Sequence, residues 1–533
     1  MWTLTWRKSR KEVPTMQSKH LVVLTILTLY LLINLGIGIY INRKTAGEGK
    51  DFLNSYFVGS RGMGGLVLAM TLVATYTSAS SFLGGPGLAS TFGLSQSWIA
   101  GVQIGATFLT LGVLGKKFAL ISRRIHAVTI SDYLRARYQS SAVVVICGLA
   151  LVVLFITQMI GQFIGGATLI QTVTGVPYWV GLLLFGAVVV LYTAFGGFRA
   201  VVLTDTLQGI IMTCGTFLML FFIIRQCGGM GDIVTHLNAA NPGWDLMGKG
   251  IYGKDIAVLQ PGYMLSYWVL VGIAVMGLPQ TAVRCMGFKD TRSMHRAMIY
   301  GTIVIGILMI GMHLAGTLAF PLVENANLAS TDQVIPYVVM KYMPSWAAGF
   351  FLAAPLAAVM STVDSLLILS SATILKDIYL NYIVKRREEK KAGTSDIRDI
   401  STELTEKHSD SMKSIPKISF GITAVIGGIT CLIALNPPDV IAWINLFAFG
   451  GLEASFFWPI IGGLYWKKGN SKACLASTVT GLITFIFFNR VKILPFNIHE
   501  IVAALIVGGI VYFAVGKATS QGELDRDMLE KCF

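Results

Sequence analysis

The stretch TLVATYTSASSFLGGPG, Thr71–Gly87, interrupts an apolar segment that is long enough to cross a membrane. A lipid-facing helix is normally an unbroken apolar run, but this one carries six hydroxyl side chains followed by Gly84, Gly85, Pro86 and Gly87. In hydrocarbon every backbone polar group needs a partner, so irregular backbone is tolerated only where it is buried in protein or lines a cavity. The stretch therefore predicts a broken membrane helix at a binding site.

A second interrupted helix follows about two hundred residues further along the chain, in VGIAVMGLPQTAVR, Val271–Arg284. Gly277 and Pro279 lie in its middle, where a membrane helix would otherwise continue. Paired interrupted helices in corresponding positions of the two halves of a membrane protein indicate the binding site of a secondary transporter.

The composition is that of a membrane protein. Of 533 residues, 54% are hydrophobic and 13% are charged, and the mean hydropathy is +0.67. A soluble domain carries about a quarter charged residues, and about twenty apolar residues span a bilayer. We therefore predict an all-α integral membrane protein with about thirteen transmembrane helices. The predicted spans are 21–41, 65–86, 96–120, 141–172, 178–195, 204–225, 263–283, 297–321, 346–375, 416–436, 441–466, 472–489 and 499–516.

The net charge of +15 is distributed as in a membrane protein and does not indicate nucleic-acid binding. Lys and Arg concentrate in alternate loops, for example in 116–137 and 284–296, and cytoplasmic loops carry such an excess. With thirteen spans, the pattern predicts a cell-membrane protein with its N-terminus outside and its C-terminus in the cytoplasm. The basic residues of 7–11, which precede the first span, do not fit this orientation.

The pattern of reactive side chains favours neither a metal centre nor an enzyme. The seven cysteines are scattered without a CxxC pair, and the seven histidines show no paired spacing. His313, inside a predicted helix, is interpreted as a hydrogen-bonded packing residue rather than a proton relay. Without a nucleophile–base pair or a metal cluster, we expect no catalytic residues and no cofactor.

The predicted spans form a leading helix, two groups of five and a terminal pair. Because each group has an odd number of spans, the two groups have opposite orientations in the membrane, as in inverted-repeat transporters. A charged, aromatic-poor stretch at 376–417 is predicted to be a cytoplasmic linker. The predicted segments are an N-terminal segment 1–20, a leading helix 21–41, repeats 65–225 and 263–466, C-terminal helices 472–516 and a cytoplasmic tail 517–533.

The broken helix suits a sodium ion. A dehydrated sodium ion is a hard cation that takes carbonyl and hydroxyl oxygens. An unwound helix supplies free carbonyls, and the adjacent Ser361 and Thr362, on the predicted helix Phe351–Tyr379, would supply hydroxyls. From these residues alone, it remains open whether the two are merely small residues of a helix interface.

Three carboxylates lie inside predicted spans, and ionisable groups there often mark an ion path. Asp205, near the inner end of the sixth span, is a candidate for a second ion site or a gate, or else it caps the start of a helix. Asp364 is a candidate for the same role, or else a hydrogen-bonded packing residue. For Glu453 an ion site and a structural role beside Gly450 and Gly451 stay equally open.

Five motifs carry a resemblance to a known family. They are YFVGSRGMGGLVLAMT (Tyr56–Thr71), SASSFLGGPG (Ser78–Gly87), YTAFGGFRAVVLTDTLQG (Tyr192–Gly209), LAAVMSTVDS (Leu356–Ser365) and NLFAFGGLEASFFWPIIGGLYW (Asn445–Trp466). With them the chain resembles the sodium/solute symporter family over essentially all predicted spans. The resemblance implies a leucine-transporter-type fold, with inverted five-helix repeats and an extra leading helix, and sodium-coupled transport.

The resemblance also implies ion-site residues. Asp205 matches the family's acidic residue of the sixth span, which is linked to sodium binding or gating, and Arg61 matches an arginine near the cytoplasmic mouth of the ion path. Members that carry proline have an aspartate where this chain has Tyr76, so the role of that carboxylate does not transfer. The implied sodium ligands are two carbonyls of the broken second span and three positions of the ninth: Ala74, Thr77, Ala358, Ser361 and Thr362.

Within the family, the resemblance is greatest to the members that carry pantothenate, which implies import of pantothenate with sodium by alternating access. Pantothenate has a carboxylate, an amide and two hydroxyls. Amide side chains suit the neutral groups, and the half-helix N-terminus near Gly84–Gly87 could face the carboxylate, because no arginine is predicted near the membrane midplane. The candidate substrate residues are Ser78, Ser81, Gln103, Gln158, Gln162, Gln280 and Asn445.

Two other functions stay open at this point. The same fold could carry another carboxylate, an amino acid or a sugar. A transporter-like sensor or channel is a further alternative, although the sequence shows neither an output domain nor a repeated pore-loop motif. The expected partners are pantothenate, sodium and the lipid bilayer, with no obligate protein partner evident.

Overall fold

The computed structural model describes residues 16–45, 62–240, 257–384, 409–437, 441–519, 530 and 532–533, and within these ranges it is built from helices. No strand occurs there, and the one isolated bridge joins Met63 to Phe288. The helices are α1 (Met16–Thr45), α2 (Gly65–Tyr76), α3 (Ser80–Phe92), α4 (Leu94–Arg124), α5 (Ile130–Tyr138), α6 (Ser141–Thr174), α7 (Tyr178–Phe195), α8 (Gly197–Gln226), α9 (Met230–Ala240), α10 (Pro261–Gly277), α11 (Pro279–Met286), α12 (Thr291–Leu318), α13 (Val334–Tyr342), α14 (Ser345–Leu380), α15 (Ser409–Ala434), α16 (Ile441–Tyr465), α17 (Ser471–Val491) and α18 (Glu500–Thr519).

Eleven of the described helices are long and apolar enough to cross a membrane, so the protein is a multi-pass membrane protein. Two further pairs pass the same test only when joined. The pair α2–α3 is bent by 71° and the pair α10–α11 by 46°, so there are up to thirteen spans if each bent pair is one span. The two bends fall in the two interrupted stretches that the sequence indicates.

Local sequence explains both breaks. Helix α2 ends at Tyr76, and the next residue, Thr77, is extended (φ −74°, ψ 133°), before a π-helical turn opens α3. In the second pair Leu278 is extended (φ −74°, ψ 117°) and Pro279 begins α11, where a residue without an N–H is tolerated. Both breaks are buried, as irregular backbone inside a membrane must be.

Helix α14 forms the centre of the bundle. Its most apolar 18-residue window is completely buried, whereas in most of the other spans half or less of that window is buried. It packs against α1, α6 and the α7–α8 segment, and α2 lies against it as well. Since α14 carries Ser361, Thr362 and Asp364, this packing places the predicted ion ligands in the interior of the bundle.

Helices α7 and α8 are two helices joined at a kink. Gly197 sits at φ 61° and ψ −177°, a conformation that glycine adopts without strain. Asp205 therefore lies two turns inside α8, and its side chain is fully buried. The alternative reading of Asp205 as a cap at the start of a helix is wrong, because the helix begins at the glycine kink.

The linker predicted at 376–417 is shorter than expected. The C-terminal end of α14 belongs to a π-helix, Thr373–Val384, which extends beyond the predicted end of the span. The next helix, α15, already begins at Ser409. The remainder of that linker, 385–408, lies outside the described residues, as do 1–15 and 520–529 of the predicted termini. Lys376 contributes to the continuation because its ammonium pairs with Asp132 of α5 at 2.5 Å.

Candidate functional site

The break after α2 leaves backbone carbonyls without their helical donors. In a continuous helix the N–H of Ser78 would bond to the carbonyl of Ala74, but here it points to Ser81 Oγ at 3.3 Å. The N–H of Ala79 donates to Gln162 Oε1 at 2.8 Å instead of to Thr75. The first broken helix therefore presents free carbonyl oxygens inside the bundle, as a desolvated cation requires.

Two hydroxyls of α14 meet these carbonyls. Ser361 Oγ lies 2.9 Å from the carbonyl oxygen of Ala74, and Thr362 Oγ1 lies 2.9 Å from that of Thr77. The same hydroxyls are 3.1 Å and 3.0 Å from the carbonyl oxygen of Ala358. The structure thus brings together the five residues named as sodium ligands.

The chemistry of this group fits sodium. Three carbonyls and two hydroxyls are neutral, hard oxygen donors, and all five residues are fully buried. Each hydroxyl can turn its hydrogen toward one neighbour and present a lone pair to an ion. A cation held here would tie the broken helix to α14.

A second polar group, which we call the Asp205 cluster, adjoins these oxygens. Asp205 Oδ2 accepts a hydrogen bond from Thr71 Oγ1 at 2.6 Å and pairs with Arg284 Nη2 at 3.2 Å. Its other oxygen, Oδ1, is buried without a hydrogen-bond partner among the described residues. The cluster consists of Thr71, Thr75, Tyr192, Asp205, Arg284, Asp364 and Ser365.

Arg284 joins the cluster from α11. Its Nε donates to Thr75 Oγ1 at 3.0 Å, its Nη2 also donates to Ser365, and its guanidinium carbon lies 4.6 Å from the centre of the Phe198 ring. The side chain is 3% exposed. The assignment of Arg284 to a loop is wrong, because the residue lies in α11 and is buried inside the bundle. The sequence carried one signal, since Arg284 closes the second interrupted stretch.

Asp364 belongs to the same cluster. Its Oδ2 accepts a hydrogen bond from the Tyr192 hydroxyl, and its Oδ1 lies 3.3 Å from Ser365 Oγ. Ser365 in turn donates to the carbonyl of Ser361 at 2.8 Å. The cluster and the sodium candidates are therefore neighbours on α14, and Ser365 connects Arg284 to Asp364.

A small cavity of about 50 Å³ lies on the other side of the break and is the candidate substrate site. Four of the predicted substrate residues line it: Ser78, Ser81, Gln103 and Asn445. The sequence reasoning did not assign Tyr76, Gln96, Tyr267 or His313 to it, although all four line it as well. Little in the sequence indicated that these four residues line a cavity, because single polar residues on apolar helices are common.

The other three predicted substrate residues do not line this cavity. Gln162 Nε2 lies 3.4 Å from Asn445 Oδ1, one layer behind the wall. Gln280 Nε2 lies 3.3 Å from Gln158 Oε1, so these two glutamines bridge α11 and α6. Gln158 Nε2 and Gln280 Oε1 have no hydrogen-bond partner among the described residues.

Two further candidate site residues are Glu453 and Arg61, which are not among the residues assigned above to the sodium candidates, the Asp205 cluster or the wall of the small cavity. Both carboxylate oxygens of Glu453 are buried without a hydrogen-bond partner in the described part of the chain. Arg61 lies outside the described residues. A larger cavity of about 800 Å³ at the Phe92 end of α3 contains none of the predicted site residues.

Known proteins resemble this chain over most of its length. The chain is 45% identical over 497 residues to the sodium/pantothenate symporter of Escherichia coli K12, covering 93% of this chain and 96% of that protein. It is 43% identical over 512 residues to the sodium/pantothenate symporter of Haemophilus influenzae Rd, covering 96% and 99%. Both relatives are transporters, which agrees with the prediction that the chain is not an enzyme.

Solved structures share the fold. A sodium-coupled sialic acid symporter in a substrate-bound outward-open state matches with a TM-score of 0.70 at 19% identity, over 94% of this chain and 97% of that one. Mhp1, a nucleobase-cation-symport-1 family transporter in a closed conformation with bromovinylhydantoin bound, matches with a TM-score of 0.51 at 15% identity, over 89% and 98%. Both have the leucine-transporter-type fold.

The family model described as the sodium:solute symporter family matches residues 56–397 and 390–481, which is most of the chain. The motifs around the two breaks and on α14 and α16 lie inside the matched region. The resemblance predicted from those motifs is confirmed, and sodium is the coupling ion of this family. The protein belongs to the sodium:solute symporter family.

Proposed function

We propose that this protein imports pantothenate by cotransport with sodium through alternating access. The observation that carries the proposal is the contact of Ser361 and Thr362 with the freed carbonyls of Ala74 and Thr77, each at 2.9 Å. Identity of 43–45% over nearly full length to two sodium/pantothenate symporters supports the solute.

In this mechanism the sodium ligands are Ala74, Thr77, Ala358, Ser361 and Thr362. Sodium fills the gap in the broken helix and holds it against α14. Because Ser78 and Ser81 follow that gap directly, the ion also fixes one wall of the substrate cavity. Sodium and solute then strengthen each other's binding, and the coupling is reciprocal.

The Asp205 cluster acts as a gate in this proposal. Arg284 connects the second broken helix to Thr75 of the first and to Asp205 of α8, so movement of either broken helix must rearrange the guanidinium. Its positive charge offsets one of the two carboxylates, Asp205 and Asp364. One negative charge is left over when both are ionised, and a proton or a second sodium ion would balance it.

The solute lies in the cavity beyond the break. Ser78, Ser81, Gln103 and Asn445 contact it, while Gln158, Gln162 and Gln280 position the wall from behind. The N-terminus of α3 lies at Ser80, not near Gly84–Gly87 as the sequence predicted, and it faces the carboxylate. The cavity of about 50 Å³ is smaller than pantothenate, so the solute is bound in a wider form of the same space.

Charge movement follows from the stoichiometry. Each positive charge that moves inward gains roughly 2.3 kcal/mol per 100 mV of membrane potential. One sodium ion with one pantothenate anion is electroneutral, whereas a second sodium ion at the Asp205 cluster makes transport electrogenic.

We also infer the finer architecture of the transporter. Thirteen spans are obtained when each bent pair is counted as one, with α2 and α10 opening two inverted repeats of five spans. Basic side chains gather at one end of the bundle, where Arg123 contacts the carbonyl of Lys289 at 3.3 Å and Lys117 lies 4.5 Å from the Tyr465 ring. This end faces the cytoplasm by the positive-inside rule.

Competition tests the solute. Uptake of labelled pantothenate is measured in sodium with an excess of unlabelled pantothenate, proline, sialic acid or glucose. Only unlabelled pantothenate should suppress the signal. If labelled pantothenate is not taken up but one of the other solutes in labelled form is, the transporter would be assigned to that solute instead.

A further inference from the structure

His313 is a histidine whose tautomer the fold determines. Its Nδ1 lies 2.7 Å from the carbonyl oxygen of Met309, one turn earlier on α12. A carbonyl only accepts hydrogen bonds, so Nδ1 carries the hydrogen, and in the neutral ring Nε2 keeps a free lone pair. Sequence reasoning interpreted this residue as a packing histidine, and the bond to Met309 accounts for only one of its two nitrogens.

The second nitrogen belongs to the wall of the substrate cavity. His313 lines that cavity together with Ser81 and Asn445, and its Nε2 has no hydrogen-bond partner among the described residues. The residue is only 4% exposed, so bulk water does not satisfy it from the surface. A buried acceptor without a donor is costly unless a ligand supplies one.

The ring is held in place by the broken helix. A Cβ atom added to Gly85 would lie 2.1 Å from Nε2 and 2.8 Å from Cε1 of His313. Nε2 and Cε1 of the imidazole therefore lie close to the backbone of α3 at Gly85, one turn inside the helix that begins at Ser80. The glycine at position 85 is required for this approach, because any larger residue would displace the ring.

We propose that Nε2 of His313 accepts a hydrogen bond from one hydroxyl of the transported solute and thereby selects solutes that carry it. The inference rests on the proposed function and adds to it the residue that recognises one hydroxyl group of the solute. The other polar groups of the wall are hydroxyls and amides, which both donate and accept, whereas Nε2 of the neutral ring only accepts. It distinguishes a hydroxyl from a hydrogen or an ether oxygen at the same position.

The test compares pantothenate with two analogues, each lacking one of its hydroxyls, as competitors of labelled pantothenate in proteoliposomes. The wild type should bind one analogue about three- to tenfold more weakly than pantothenate, the effect of one hydrogen bond. His313→Leu should bind pantothenate as weakly as that analogue, so that the preference disappears. His313→Gln, which keeps an acceptor of similar reach, should retain part of the preference.

Thr317→Val is the matched control. Thr317 lies one turn further on α12 and faces the carbonyl of Ala89 at 3.3 Å, not the cavity, so its variant should keep the wild-type preference. Equal affinity of the wild type for pantothenate and both analogues overturns the inference, and so does an unchanged preference in His313→Leu. Absence of any pantothenate uptake by the wild type would instead overturn the proposed function, and the inference with it.

Discussion

At the scale of single residues, the proposed sodium site depends on two hydroxyls that lie against freed carbonyls. Ser361 and Thr362 each face one carbonyl of the first broken helix and share the carbonyl of Ala358. Each hydroxyl is one of five proposed ligands, so its removal should weaken ion binding without removing the site.

Replacing either hydroxyl should therefore raise the sodium requirement of transport. We expect Ser361→Ala and Thr362→Ala each to raise the sodium concentration for half-maximal uptake by about tenfold, the cost of one ligand to a charge. Sodium titration of uptake in proteoliposomes measures this. Ser370→Ala is the control, because Ser370 is buried on the same helix and its hydroxyl has no partner among the described residues. Equal sodium requirements in all three variants would argue against the site.

Arg284 is the residue on which the Asp205 cluster depends. Removing its guanidinium leaves two buried carboxylates without a counter-charge, which should destabilise the protein by about 3–5 kcal/mol. We expect Arg284→Gln to lower the unfolding temperature and abolish uptake, and Asp205→Asn in the same chain to restore part of the stability. Thermal unfolding in detergent measures both. If the double variant is as unstable as the sum of the single variants, Arg284 and Asp205 are not coupled.

The sequence indicated the proposed neutral sodium ligands, but it did not indicate that Arg284 lies beside them. From the residues alone, Ser361 and Thr362 could equally have been small residues of a helix interface, and their grouping with Ala74 and Thr77 came from the family resemblance. Arg284 was assigned to a loop because it ends an apolar run. Its partner Asp205 is 79 residues away, and no local pattern links them.

At the scale of helices, the fold depends on close contact between α3 and the turn at 331–333. A Cβ atom on Gly87 would lie 2.2 Å from the carbonyl oxygen of Thr331, so the backbones touch without an intervening side chain. Gly316 of α12 makes a similar approach to Pro86, where a Cβ atom would lie 2.0 Å from the carbonyl oxygen. Helix α3, the second half of the broken helix, is therefore in close backbone contact on two sides.

A methyl group at the first of these contacts should disturb α3. We expect Gly87→Ala to destabilise the protein by about 1–3 kcal/mol through overpacking and to slow uptake, since α3 forms a wall of the substrate cavity. Unfolding temperature and initial uptake rate measure the two effects. Gly101→Ala is the control, because a Cβ atom there meets nothing within 4 Å. A Gly87→Ala protein with wild-type stability and rate would contradict the close contact.

Helix existence was predictable from hydropathy, but two helix ends were not. The ninth predicted span stops at residue 375 because Lys376 and Asp377 resemble the start of a loop. In the structure Lys376 pairs with Asp132, and Asp377 accepts a hydrogen bond from Thr129 at 3.0 Å, so the helix continues. The start of α8 was misplaced because the glycine kink at Gly197 is hidden in an apolar run.

At the scale of the whole molecule, the two broken helices are linked because both contact α14 and the Asp205 cluster. Met63, just before α2, exchanges backbone hydrogen bonds of 3.1 Å and 2.9 Å with Gly287 and Lys289, just after α11. The two broken helices are thus joined at one end by backbone contacts and further in by Arg284. This arrangement suits a transporter in which both halves move as one gate.

The orientation of the molecule can be tested directly. We expect a cysteine replacing Asn238, on the exposed side of α9, to react with a membrane-impermeant thiol reagent in intact cells. A cysteine replacing Lys468, at the basic end, should react only after the cells are opened. Both are introduced into a chain without its seven native cysteines. The opposite pattern of labelling would reverse the orientation that the charge distribution predicts.

Sodium-driven uptake of labelled pantothenate tests the proposed function most directly. The purified protein is placed in liposomes with an inward sodium gradient, or with potassium in place of sodium, and the chain with both Ser361→Ala and Thr362→Ala serves as the ion-site control. We predict accumulation above the equilibrium level only with the sodium gradient, and strongly reduced accumulation in the double variant. Equal uptake in sodium and potassium, or none in either, would contradict the proposed function.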